Sequence, residues 1–234
     1  MKNSGKKRKS VVTALSGFVL AFLLSAAVLT AACYAEASSA ENGSAVYSEP
    51  LFKDGMAQNV FSEDAVVRYC VWVETDNDMD EDGRKDLVKA WVQLPRPALE
   101  GHYKAAVLFE GDPTAAGSGD GESGYPSRYD YFLERGFAVV TSTGPGTLGS
   151  DGYVTVGSRE EADAFAAVVE WIHGDRIAYT DRSRKETVSA DWSNGKIGMT
   201  GSGYAGAVQY ELAGRGVKGL KTVVPVDGIT SWYS

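Results

Sequence analysis

The sequence predicts an α/β fold, a mostly parallel sheet with helices on both faces. Three observations carry that prediction. Short apolar or β-branched runs alternate along the chain with helix-patterned ones, the order that builds a layered parallel sheet. One helix, opening at Ser158, repeats apolar residues at helical spacing and so presents a single face to a sheet. A glycine-bounded turn leads directly from a strand over 197–200 into a helix-prone stretch over 205–213. With 234 residues, 44% of them hydrophobic and 23% charged, the chain can bury one core of ordinary size.

At the N-terminus, Lys2, Lys6, Lys7, Arg8 and Lys9 precede an apolar run over 11–32, and Ala35-Glu36-Ala37 offers a small-residue cleavage site. That arrangement reads as a secretory signal over residues 1–37, giving a secreted or cell-surface product. Two other readings stay open. The run of 22 residues is long enough to span a bilayer as an uncleaved anchor. Leu29 to Cys33 resembles a lipidation box, with its branched residue one position too far from the cysteine. Five basic residues and no acid precede residue 33, so the charge of −8 becomes −13 from there onward. A surface of that sign repels phosphate backbones and excludes nucleic acid as a partner, leaving membrane contact to the N-terminal segment alone. Cys70 is then the single cysteine past the signal boundary and reads as a small core residue.

Residues 38–60 are small, polar and unpatterned, a flexible arm or linker before a domain over 61–234. Strands are expected over 66–74 and 87–94, joined by an acidic turn, and over 105–109. Pro126 opens a short helix that Gly136 stops, and 137–142 is a buried strand. Ser158 and Glu161 form a capping-box signature for the helix that carries Ala162, Phe165, Val168, Val169 and Ile172 and closes at Gly174.

Within the acidic turn, Asp78, Asp80 and Asp82 alternate, Gly83 allows a sharp bend and Asp86 stands at the ninth position. This resembles the front half of a calcium loop, which would make the ion a structural clip. Lys89 occupies the twelfth position, where a bidentate glutamate belongs, and a solvated hairpin turn accounts for the same residues. The glycine-rich loops 117–124 and 144–152 lack the pattern of a phosphate cradle. His102 and His173 read as isolated surface histidines.

The strand-to-helix turn carries the chemistry. Residues 191–206 read Asp-Trp-Ser-Asn-Gly-Lys-Ile-Gly-Met-Thr-Gly-Ser-Gly-Tyr-Ala-Gly. Such a turn lifts a nucleophile to the top of the sheet in serine hydrolases. It needs an Oγ at its apex, a base to take the proton, and donors for the developing oxyanion. Between Gly201 and Gly206 the apex falls on Gly203, which has no side chain, and Ser202 sits one place early.

Residues 190–206 resemble the nucleophile segment of bacterial Xaa-Pro dipeptidyl-peptidases and their cocaine-esterase-like relatives. Their pattern is Gly-x-Ser-Tyr-x-Gly, preceded by Asp-Trp-Ser-Asn-Gly-Lys. The stretches 71–97, 131–172, 179–196 and 217–234 resemble the same family, so the likeness covers about residues 60–234. It implies an α/β-hydrolase core and cleavage of dipeptides from peptide N-termini after a proline, through an acyl-enzyme. The nucleophile then maps to Gly203 and one oxyanion donor to the Tyr204 backbone N–H. The second donor is a tyrosine hydroxyl within a Pro-Tyr pair, where this chain has Pro113-Thr114. No cofactor is implied.

The family's acid and histidine follow its serine, whereas 31 residues follow Gly203 and both histidines precede it. The chain therefore reads as the N-terminal part of a longer design, incomplete at the C-terminus and inactive, with Ser202 as a weak substitute nucleophile. Two alternatives stand beside this. One is a cocaine-esterase-like acyl hydrolase; the other is a secreted, non-catalytic pseudoenzyme that binds peptide or calcium.

Overall fold

The computed structural model describes residues 47–113 and 125–231. The signal segment, the arm up to residue 46, Thr114 and the loop 117–124 lie outside the described residues. The rest of the expected arm is structured: β1 (Phe52–Lys53) and β2 (Met56–Ala57) form a small antiparallel hairpin. The amides of Val60 and Phe61 then dock on the Glu134 carbonyl.

Eight strands form the main sheet among the described residues. β3 (Val66–Glu74) and β4 (Leu87–Pro95) make the expected hairpin, and β4 is buried along its whole length. β5 (Ala105–Asp112), β6 (Ala138–Thr143), β9 (Ser193–Ser202) and β10 (Leu220–Val226) lie parallel to one another in the order β10-β9-β5-β6. β4 joins antiparallel to β6, and β3 is followed by β7 (Ala178–Tyr179) and β8 (Thr187–Val188), also antiparallel. The sheet is thus mixed, with parallel pairing confined to the half that carries the strand-to-helix turn. The β3–β4 hairpin supplies one antiparallel pair, and the pairing of β4 with β6 and the two-residue strands β7 and β8 supply the others.

The helices are α1 (Arg96–Leu99), α2 (Asp130–Leu133), α3 (Arg159–His173) and α4 (Tyr204–Arg215). α3 and α4 cover one face of the sheet, where Phe165, Val168, Trp171, Val208 and Leu212 pack on Val107, Phe109, Ile197 and Met199. α2 covers the other, with Leu133 against Val139. The helix expected from Pro126 is a 3-10 turn, Ser127–Tyr129, and one turn of α-helix, because no side chain caps it and Gly136 (φ 87°) ends it at once. In α3 the cap is half the expected box. The Glu161 amide donates to Ser158 Oγ at 3.2 Å, while the Glu161 carboxylate goes elsewhere.

Candidate active site

β9 ends at Ser202 and α4 begins at Tyr204, so the chain turns from strand to helix over the one residue between them. That residue, Gly203, has φ 60° and ψ −120°. This backbone region is open to glycine and strained for any residue with a side chain. The Gly203 amide donates to the Val226 carbonyl of β10 at 2.9 Å, and its carbonyl accepts from Gly206 and Ala207, both at 3.1 Å. The apex is fixed from both sides.

The glycines around it serve close approach. A Cβ at Gly201 would stand 2.7 Å from Ala205 Cβ, and one at Gly206 would stand 2.8 Å from Gly228 Cα. Both are nearer than real side chains permit, so the turn can be this tight only with glycine there. At Gly203, by contrast, an added Cβ meets nothing within 4 Å. The space where a nucleophile's side chain belongs is open.

Ser202 does not fill it. In β9, Ile197, Met199 and Gly201 are buried toward the helices, whereas Gly198, Thr200 and Ser202 alternate onto the less buried face. Side chains alternate along a strand, so a shift of one residue changes the face and not merely the distance.

Tyr204 is held by groups absent from the sequence expectation. Its phenol donates to Glu161 Oε1 at 2.7 Å and Oε2 at 2.9 Å, and accepts from the Gly157 amide. Burial pushes the Tyr204 hydroxyl up to about 12, with the Glu161 carboxylate adding to it. Burial also raises the Glu161 carboxyl. Gly157, Ser158, Glu161, Tyr204, Tyr210 and Ile229 line a cleft of about 340 Å³ beside the turn. Buried Gln209 closes the arrangement from below: Nε2 donates to the carbonyls of Gly201 (3.3 Å) and Ala205 (3.2 Å), and Oε1 accepts from Val224 N–H at 3.0 Å. The sequence marked Glu161 only as a cap, and nothing in it marked Gln209.

Neither histidine is near the apex. His173 lies twelve residues along α3 from Glu161, about 18 Å at 1.5 Å per residue. It is not an isolated surface residue, because its Nδ1 pairs with Asp175 at 2.6 Å and its side chain is 25% exposed. His102 precedes the start of β5, whereas the turn follows the end of the parallel strand β9, so the two lie at opposite ends of the sheet. Cys70 is half-buried, not a core residue, with Sγ 3.3 Å from the Tyr125 hydroxyl.

At the acidic turn, carboxylate oxygens of Asp78, Asp80 and Asp82 converge within 4.8 Å of one another, all exposed. Asp78 accepts from the Asp82 and Gly83 amides, and Asp82 from Arg84 N–H at 2.7 Å. Asp86 falls outside that group; it is buried, accepts from Met79 N–H at 2.9 Å, and has its carboxyl raised by burial. Lys89 is buried with Nζ 5.3 Å from the Trp72 ring centroid and 4.9 Å from that of Trp91, so the twelfth position supplies no oxygen.

The family described as X-Pro dipeptidyl-peptidase (S15 family) matches residues 27–234. An Xaa-Pro dipeptidyl-peptidase of Lactobacillus helveticus is 40% identical over 227 residues, covering 78% of this chain and 28% of that protein. A putative Xaa-Pro dipeptidyl-peptidase of Streptomyces avermitilis is 36% identical over 188 residues, covering 74% and 28%. The chain thus spans less than a third of the length of these relatives. Among solved structures, an α-amino acid ester hydrolase superposes with a TM-score of 0.51 at 18% identity, covering 82% of this chain and 28% of that one. That likeness supports the fold.

Proposed function

The chain belongs to the X-Pro dipeptidyl-peptidase (S15) family of α/β-hydrolases, and from that premise we propose that it is an exported form of the family's elbow-bearing region that forms no acyl-enzyme. The observation that carries this is Gly203. It occupies the apex in a backbone conformation open to glycine, flanked by the two glycines that close packing demands, and offers no Oγ. Covalent catalysis on serine needs that atom before any base or oxyanion donor matters. The substrate class suggested by the family is a peptide with proline second from its N-terminus, and export rests on the signal pattern of residues 1–37.

The test is hydrolysis of a chromogenic Xaa-Pro amide by the purified chain. No release above the rate in buffer is expected, and the Ser202→Ala variant should behave identically. Release that disappears in Ser202→Ala would overturn the reading. Export is checked by the N-terminus of the secreted protein, expected near residue 36 or 38.

A further inference from the structure

Glu161 is 4% exposed at the start of α3, and it lines the cleft of about 340 Å³ between the first turns of α3 and α4. Burying a carboxylate is costly unless an opposite charge or several donors meet it. Its donors are few. The Tyr204 phenol has one proton, so its contacts at 2.7 and 2.9 Å to the two Glu161 oxygens share a single O–H. The Gly157 amide adds a backbone dipole, yet burial outweighs both and raises the carboxyl. No lysine, arginine or histidine pairs with Glu161 among the described residues. The arginines of α3 and α4 are committed elsewhere: Arg159 and Arg215 both reach Asp163, and Arg215 also bonds Glu211 at 2.8 Å.

We propose that this cleft binds a primary ammonium carried on a short apolar group, with the Glu161 carboxylate taking the charge. The inference goes beyond the missing nucleophile, since it uses no atom of Gly203. The walls set the apolar part: Ala162, Val208, Tyr210 and Ile229 line the cleft, and Tyr210 and Ile229 stand 43% and 38% exposed. A volume of about 340 Å³ is at the small end of ligand sites, which suits a group the size of one side chain. Other cations fit less well. A hard divalent ion wants about six oxygens, whereas most of the side chains around this carboxylate are apolar. A guanidinium pairs best through two parallel N–H bonds to both carboxylate oxygens, and the Tyr204 hydroxyl already straddles that pair. An ammonium needs one oxygen for each N–H bond and can use the lone pairs that remain.

The test titrates the full chain at neutral pH with isopentylamine and with isopentanol, its neutral counterpart, following backbone amides by NMR. The amine should shift the amides in the first turns of α3 and α4 saturably. The alcohol should bind more weakly by about tenfold or more, the worth of a charged hydrogen bond. Glu161→Gln, which keeps an acceptor for Tyr204, should lose affinity for the amine by a similar factor. Glu211→Gln should not, although Glu211 also lines the cleft, because Arg215 already meets its charge. Leucine amide and its N-acetyl form separate two sources of such a group. Binding of the first alone admits the amino terminus of a peptide, failure of both restricts the site to small amines, and either result upholds it. The proposal is overturned if the amine gives no saturable shift, if amine and alcohol bind alike, or if both leucine compounds do. Equal losses in Glu161→Gln and Glu211→Gln also overturn it. The amine–alcohol comparison needs no variant, so it decides even where Glu161→Gln does not fold.

Discussion

At the scale of single residues, three glycines within six positions have separable duties. Gly201 and Gly206 are fixed by contact, Gly203 by its backbone angles. Gly206→Ala drives a methyl into the Gly228 and Val226 backbone, which cannot swing aside, and should cost about 1–3 kcal/mol or more. Gly203→Ser meets no obstacle and should cost only the strain of a side chain at φ 60°, about 1–3 kcal/mol. Urea denaturation should show both variants less stable than the parent, and a Gly206→Ala variant as stable as the parent would contradict the packing described. The glycine at the apex was legible in the sequence because the motif is local. Glu161 was not, since Ser-x-x-Glu is also the signature of a helix cap and only the fold shows which partner the carboxylate takes.

At the scale of elements, strands and helices with a full apolar pattern were legible close to their ends. β3 spans the expected residues, and every expected apolar position of α3 is buried. Elements too short to show a period were not: β7 and β8 have two residues each, and the β1–β2 hairpin lay within a stretch that looked like linker. The joint between elements was also hidden, because Gln209 on an otherwise apolar helix face gives no local signal. Its amide ties β9, β10 and α4 together, through the Gly201 carbonyl, the Val224 N–H and the Ala205 carbonyl. Gln209→Leu keeps the volume and orphans the Val224 amide and Gly201 carbonyl, so it should cost about 2 kcal/mol. Faster hydrogen exchange at Val224 would accompany that loss, and unchanged exchange would show that Gln209 is mere filling.

For the whole molecule, the antiparallel half of the sheet is tied to α3 by charge. Arg176 bridges Asp76, just after β3, and Glu170 near the end of α3, while Lys85 also bonds Asp76 at 2.7 Å. Arg176 first, then Lys85, holds the Asp76 carboxyl well below the usual carboxylate range. A depressed folded value means stability that is present above the unfolded value of about 3.9 and is lost as pH falls below it. Asp76→Asn should therefore be less stable than the parent at pH 7, with the gap narrowing as the medium is acidified; a gap that widens in acid would contradict the pairing. Asp76 itself is largely exposed, so the effect is small beside the core. What the fold does with that scaffold converges on the elbow, an intact turn whose apex has no nucleophile. The most direct measurement is the intact mass of the chain after incubation with a fluorophosphonate, run beside its Ser202→Ala variant. The expected result is no adduct on either protein. A single adduct on the parent that vanishes in Ser202→Ala would contradict the account, because it would show that a serine on the strand can do the work of the missing one.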